Sequence, residues 1–167
     1  LTADGDLDFS FGSGGKVRLD FGGVEDPSDD ELVDLGLEAD GRIVLFGSTT
    51  GTTTLGRDFA AARLTPTGGL DPTFDGDGKF VIGLDLGDPD HDNAKDLLVE
   101  PSGAIVLAGD ADRAANDSDF VLLRLRHDGT VDTGFGLFGL ALVAPNLDPS
   151  GEKRFDRLGS VALADRG

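Results

Sequence analysis

One block of this chain is written three times. Leu1-Thr-Ala-Asp-Gly-Asp-Leu7-Asp8-Phe-Ser-Phe11-Gly-Ser-Gly-Gly15 returns as Leu64-Thr-Pro-Thr-Gly68-Gly-Leu70-Asp71-Pro-Thr-Phe74-Asp-Gly-Asp-Gly78, and again as Leu125-Arg-His-Asp-Gly129-Thr-Val131-Asp132-Thr-Gly-Phe135-Gly-Leu-Phe-Gly139. A period of about sixty residues is the mark of an array of like modules, each too small to bury its own apolar face. It divides the chain into repeat 1 (residues 1–63), repeat 2 (64–124) and a partial repeat 3 (125–167).

Each repeat carries the signals of short strands. After the shared block comes an extended segment, Lys16–Phe21, Lys79–Ile82 or Leu140–Val143, and then an acidic linker with Asp26-Pro27, Asp88-Pro89 or Asp148-Pro149 in matching places. Next is a hairpin signature: Asp40-Gly41, and its counterpart Ser102-Gly103, lie between apolar runs, where Gly supplies the positive φ a tight turn requires. Ile43 to Phe46 and Ile105 to Ala108 are unbroken apolar runs, which suits central strands covered on both faces. Asp58-Phe59-Ala-Ala-Ala-Arg63 and Asp119-Phe120-Val-Leu-Leu-Arg124 form the strand that leads into the next block. Asn93 to Glu100 also fits a short Asn-capped helix, but its counterpart in repeat 1 carries Gly36 in mid-segment and alternates as a strand.

The fold class that follows is all-β: propeller-type repeats of four-stranded antiparallel blades, about two complete blades with parts of adjoining ones. Leu-x-x-Asp-Gly-x-Leu-Asp-x-x-Phe-Gly-x-x-Gly-Lys, followed by Asp-Gly-Arg-Ile-Val-Leu-x-Gly and Asp-Phe-Ala-x-x-Arg-Leu, resembles the delta-60 repeat family over essentially the whole chain. The resemblance implies a β-propeller of the kind found in large secreted or surface proteins of bacteria, with no established activity. An extracellular or cell-surface location is expected on that ground alone. The third copy departs from the pattern at Leu137, Phe138 and Leu140.

Asp165-Arg166-Gly167 aligns with the hairpin turns, so two repeats and part of a third are expected to belong to a larger propeller. The alternative is a homo-oligomer whose copies complete one ring, since open blade faces and strand edges demand a cover. The natural partner is protein, or the rest of the same propeller. With 32 acidic against 14 basic residues and a net charge of −18, the field repels phosphate and argues against nucleic acid. No apolar run approaches the roughly 18 residues of a membrane-spanning helix, so no membrane insertion is expected. The absence of Cys excludes disulfides and thiolate metal sites.

Among the candidate chemistry, Asp88, Asp90 and Asp92 stand out. Carboxylates at alternate positions can converge on calcium, which takes six to eight oxygens, but the second half of an EF-hand loop fails because Asn93 stands where Gly should be and Val99 fills the twelfth place. An acidic solvated turn is the competing reading. Asp8, Asp71 and Asp132 recur ahead of Phe11, Phe74 and Phe135, and are expected to accept backbone N–H groups in a turn while the Phe anchors the core. Arg63 and Arg124 end equivalent strands and are expected to pair with a neighbouring Asp. His91 and His127 are unrepeated and accompany no nucleophile motif, so they are read as exposed turn residues.

The functional expectation is a non-enzymatic propeller scaffold or protein-interaction module, with calcium as a candidate stabiliser and no other cofactor. A glycan-binding propeller is the alternative, disfavoured by the absence of Trp and Tyr. A propeller enzyme is the third, with His91 and Glu100 as the local oddities that could serve it.

Overall fold

The computed structural model describes residues 1–22, 29–50, 56–87, 91–114, 117–143 and 157–164. Among them the regular elements are β-strands: β1 (Glu31–Leu37), β2 (Ile43–Thr50), β3 (Arg57–Leu64), β4 (Lys79–Ile82), β5 (Asp92–Val99), β6 (Ile105–Ala114), β7 (Asp117–Leu125) and β8 (Leu140–Val143). They form two four-stranded antiparallel sheets in the orders β1-β2-β3-β4 and β5-β6-β7-β8. Each sheet is one blade. The blades are offset from the sequence repeats, because the shared block lies between the third and fourth strands of a sheet.

Local chemistry explains the meander. In the first blade β1 turns into β2 through Glu38–Arg42, where Glu38 N–H donates to the Arg42 carbonyl and Gly41 takes φ 84°. Gly103 does the same at φ 83° in the second blade. A bulge interrupts each first strand at the same place, between Leu32 and Asp34 and between Ala94 and Asp96. The extra residue re-aims the strand, which is why simple alternation fails there. Asn93 to Val99 belongs to β5, so the helical alternative is set aside by the ladder with β6. β2 and β6 are the covered interior strands their composition indicated, with Val44, Phe46, Ile105, Leu107 and Ala108 buried.

Lys16–Phe21 differs from expectation. It forms only an isolated bridge, Ser13 with Lys16, whereas its counterpart β4 pairs with β3 from Ala62–Lys79 to Phe59–Ile82. Among the described residues no third strand runs beside it, and a lone strand has no ladder to join.

The blades lie side by side. β5 packs against β1, β2 and β3, and Phe46 and Phe59, edge to face at 5.2 Å, join Leu97, Leu107 and Val121 in a core shared by both sheets. The approach is close: a Cβ on Gly109 would sit 2.6 Å from Phe59 Cζ, and one on Gly36 would sit 2.6 Å from a Val99 methyl. The seam also has its own hydrogen bonds. Leu97 N–H donates to Asp34 Oδ2 at 3.0 Å and Ala94 N–H to Ser48 Oγ at 3.0 Å. Residues 157–164 meet the second blade in the same way, with Val161 N–H on Asp96 Oδ2 and Leu158 N–H on Asp110 Oδ1, both at 2.6 Å. A first-strand segment is thus docked twice in one register. Turn contacts repeat as well, Gly12 N–H to the Thr67 carbonyl and Asp75 N–H to the Asp128 carbonyl, each at 2.8 Å.

Candidate functional site

The recurring Asp of the shared block divides its two oxygens between two tasks. Asp71 Oδ1 accepts Thr73 N–H at 3.0 Å and Thr73 Oγ1 at 2.7 Å, closing the turn; Oδ2 accepts Arg63 Nε at 2.8 Å. Asp132 repeats the scheme with Gly134 N–H at 3.2 Å and Arg124 Nη1 at 2.8 Å, and Asp8 keeps the turn half with Ser10. Phe74 is fully buried beneath this turn, with the Arg63 guanidinium 5.0 Å above its ring, while Phe11 and Phe135 are half-buried. Burial acts to raise the Asp71 pKa, but the Thr73 hydrogen bonds and the Arg63 charge outweigh it and hold the carboxyl below the ordinary Asp value.

A second acid completes each pair. Glu38 and Glu100 both stand just after a first strand, and each reaches the arginine that ends the third: Arg63 Nη1 lies 3.4 Å from Glu38 Oε1, and Arg124 grips Glu100 bidentately at 3.0 and 2.7 Å. Hydrogen bonding from Arg124 holds Glu100 below its usual carboxylate range. Glu100 is therefore no local oddity but the counterpart of Glu38. The repeat contained this signal, since both glutamates sit at the same distance before a turn glycine, Gly41 or Gly103.

At the seam each blade adds a residue that the other lacks. Asp40, in the β1–β2 turn, and His127, in the turn after β7, come together beside Glu38, with one ligand atom of each within 4.8 Å of the others. Arg42 lies among them: Nη1 is 3.2 Å from Asp40 Oδ2 and 3.4 Å from His127 Nε2, and Nε is 3.2 Å from Asp71 Oδ2. Arg63 Nη1 also donates to the His127 carbonyl. Sequence reading placed His127 in a turn, as it is, but had no means of bringing it to Glu38 across two blades.

The three carboxylates expected to hold calcium are only partly placed. Asp88 and Asp90 lie outside the described residues, as do Asp26-Pro27 and Asp148-Pro149 of the other linkers. Asp92 is buried at the start of β5, where Oδ2 accepts Leu84 N–H at 2.7 Å and its carbonyl accepts Ser48 Oγ at 3.2 Å. His91 is half exposed, with Nδ1 3.7 Å from Asp112 Oδ2.

A different opening lies on the far side of the first blade. Val17, Leu19 and Phe21 stand over Leu32, Leu45, Phe46 and Ala60, leaving a cavity of about 210 Å³ with a mainly apolar lining.

Comparison with known families agrees with this geometry. Residues 38–74 and 100–135 match the family described as "Domain of unknown function (DUF5122) beta-propeller". Each match runs from the glutamate before the hairpin turn, through the second and third strands, to the Phe of the shared block or its close neighbourhood. The finding supports a β-propeller repeat family of unknown function, a coarser statement than the delta-60 designation. No curated protein matches the chain.

Proposed function

We propose that this chain is a non-enzymatic propeller module, a scaffold and protein-interaction surface of a secreted or cell-surface bacterial protein, whose uncovered blade face is made to receive a further blade of the same kind. One observation carries the reading. Leu32, Leu35 and Leu37 on β1 are 60, 58 and 68 % exposed, whereas on β5 the equivalent Ala94 and Leu97 are 5 and 8 % exposed beneath the first blade. An apolar strand face that is covered in one repeat and bare in the next fits a neighbour of the same shape. That neighbour is the rest of the same propeller or a second copy of the chain.

The remaining expectations keep their places in this reading. Glu100, fixed and ionised by Arg124, is poorly suited to acid–base catalysis at neutral pH, which favours scaffold over enzyme. Calcium stabilisation rests on the acidic linkers of the sequence, and a melting temperature unmoved by millimolar calcium after chelation would remove it. Specific hits on a glycan array would favour the lectin-like alternative.

The test of the docking face is the mass of the chain in solution beside that of a variant carrying Leu32→Ser, Leu35→Ser and Leu37→Ser. Self-association, or binding of an apolar dye, that the triple variant abolishes supports the proposal. A monomer that binds no dye before substitution overturns it.

A further inference from the structure

The Glu38–Asp40–His127 cluster at the seam between the blades has the composition of a metal site. We propose that these three side chains bind a divalent transition-metal ion of the zinc type, two ligands coming from the first blade and one from the second. The donor set is one imidazole nitrogen and two carboxylates, which suits zinc and its neighbours, whereas calcium prefers oxygen alone.

Three features of the structure point the same way. Glu38 is 6 % exposed, and its Oε2 accepts no hydrogen bond among the described residues, yet lies 3.9 Å from His127 Nε2. A buried carboxylate oxygen left in that condition is costly unless a cation reaches it. His127 Nε2 lies 3.4 Å from the Arg42 guanidinium, which can only donate; the tautomer with its lone pair on Nε2 accepts that contact and is the one metal ligation requires. The local charge is also unbalanced, with Glu38, Asp40 and Asp71 against Arg42 and Arg63.

Arg42 is the competing cation. Its Nη1 bridges Asp40 and His127, but the side chain is about one-third exposed and its Nε already contacts Asp71, so Nη1 can leave the cluster while Nε keeps a carboxylate partner. Metal entry then replaces one charged contact at the seam and ties the two blades through their turns. The site is particular to this seam, because the second blade has Ser102 for Asp40 and Ala104 for Arg42, and the first has Pro66 for His127. It does not depend on the docking face proposed above, although Leu37 of that face also lines the opening beside Glu38, Asp40 and His127.

The test is calorimetric titration of chelator-treated protein with zinc chloride, with the histidine ring signals followed by NMR. The expected result is one zinc ion per chain, a change at His127 and not at His91, and a raised melting temperature. Loss of an outer partner at a metal site typically weakens binding by about 10- to 100-fold, and loss of a ligand should do at least that. His127→Ala, at a half-exposed position, is therefore expected to weaken zinc at least 100-fold and abolish the thermal gain, while Arg42→Ala tightens it. Calcium chloride is expected to leave the His127 signals in place. Zinc binding and thermal gain unchanged by His127→Ala would overturn the proposal and assign the ion to the acidic surface at large.

Discussion

The two Arg–Asp pairs are chemically alike and differently buried, and that difference sets the cost of breaking them. In the first blade Arg63 is fully buried and Asp71 is 4 % exposed. Removing one partner of a buried pair costs about 3–5 kcal/mol, because the other charge is left in a poor solvent. Losing the turn bonds from Thr73 adds about 1 kcal/mol. Arg63 retains Glu38, Thr73 and the His127 carbonyl, which places Asp71→Ala near the lower end of that sum, at about 4 kcal/mol. In the second blade Arg124 is partly exposed and keeps its bidentate Glu100, so Asp132→Ala is expected to cost about 1 kcal/mol. Urea unfolding at pH 7, followed by far-ultraviolet circular dichroism, measures both. Asp71→Asn keeps an oxygen for the turn but loses the charge, and belongs between wild type and Asp71→Ala. Because the folded Asp71 pKa is depressed, its stabilisation is present above the unfolded value of about 3.9 and disappears as pH falls through the lower folded value. The gap between wild type and Asp71→Asn should therefore close in acid. A loss at Asp71 no larger than that at Asp132 would refute the burial argument.

Other outcomes follow from close contacts, backbone strain and charge. Gly47→Ala and Gly109→Ala would place a Cβ 1.8 Å from the Glu31 carbonyl oxygen and 2.3 Å from that of Asn93; each should lose about 2–3 kcal/mol in denaturant titration, while Gly69→Ala, with its nearest neighbour at 3.5 Å, should change stability by less than about 0.5 kcal/mol. Phe138 is 78 % exposed at φ 56°, so Phe138→Asn should raise stability by about 0.5–1 kcal/mol, read as a higher urea midpoint. Burial pushes the Asp110 carboxyl up despite Leu158 N–H and Lys95 beside it. Its folded form holds a proton more tightly than the unfolded chain, so its contribution falls as pH rises from the unfolded pKa through the folded one, and Asp110→Asn should flatten that slope in a pH series of melting curves.

How much of this was legible depends on whether the repeat carried it. Strand identity, the hairpin turns, the two-task Asp71 and Asp132, and the Arg63 and Arg124 pairs were readable because each signal is local and occurs at least twice. The partnership of Glu38 with Arg63 was also written twice, through Glu100 and Arg124, but it joins the end of the first strand to the end of the third, across the second, and has no local pattern. The bulges at Leu32–Asp34 and Ala94–Asp96 obscured which residues of β1 and β5 face the neighbouring blade. Nothing local to Asp34 or Asp96 shows that their carboxylates receive N–H groups from the next blade. His127 shows the firmest limit, since its place beside Glu38 arises only when two blades are laid together. Lys16–Phe21 has the composition of a fourth strand, but among the described residues no third strand pairs with it.

The central claim is that the two sheets stand face to face as neighbouring blades, and nuclear Overhauser contacts measure it directly. Strong contacts are expected from the Phe59 ring to Gly109 Hα and from the Val99 methyls to Gly36 Hα, alongside the cross-strand contacts within each sheet. Sheets that keep their internal contacts while both of these pairs are missing would contradict the account.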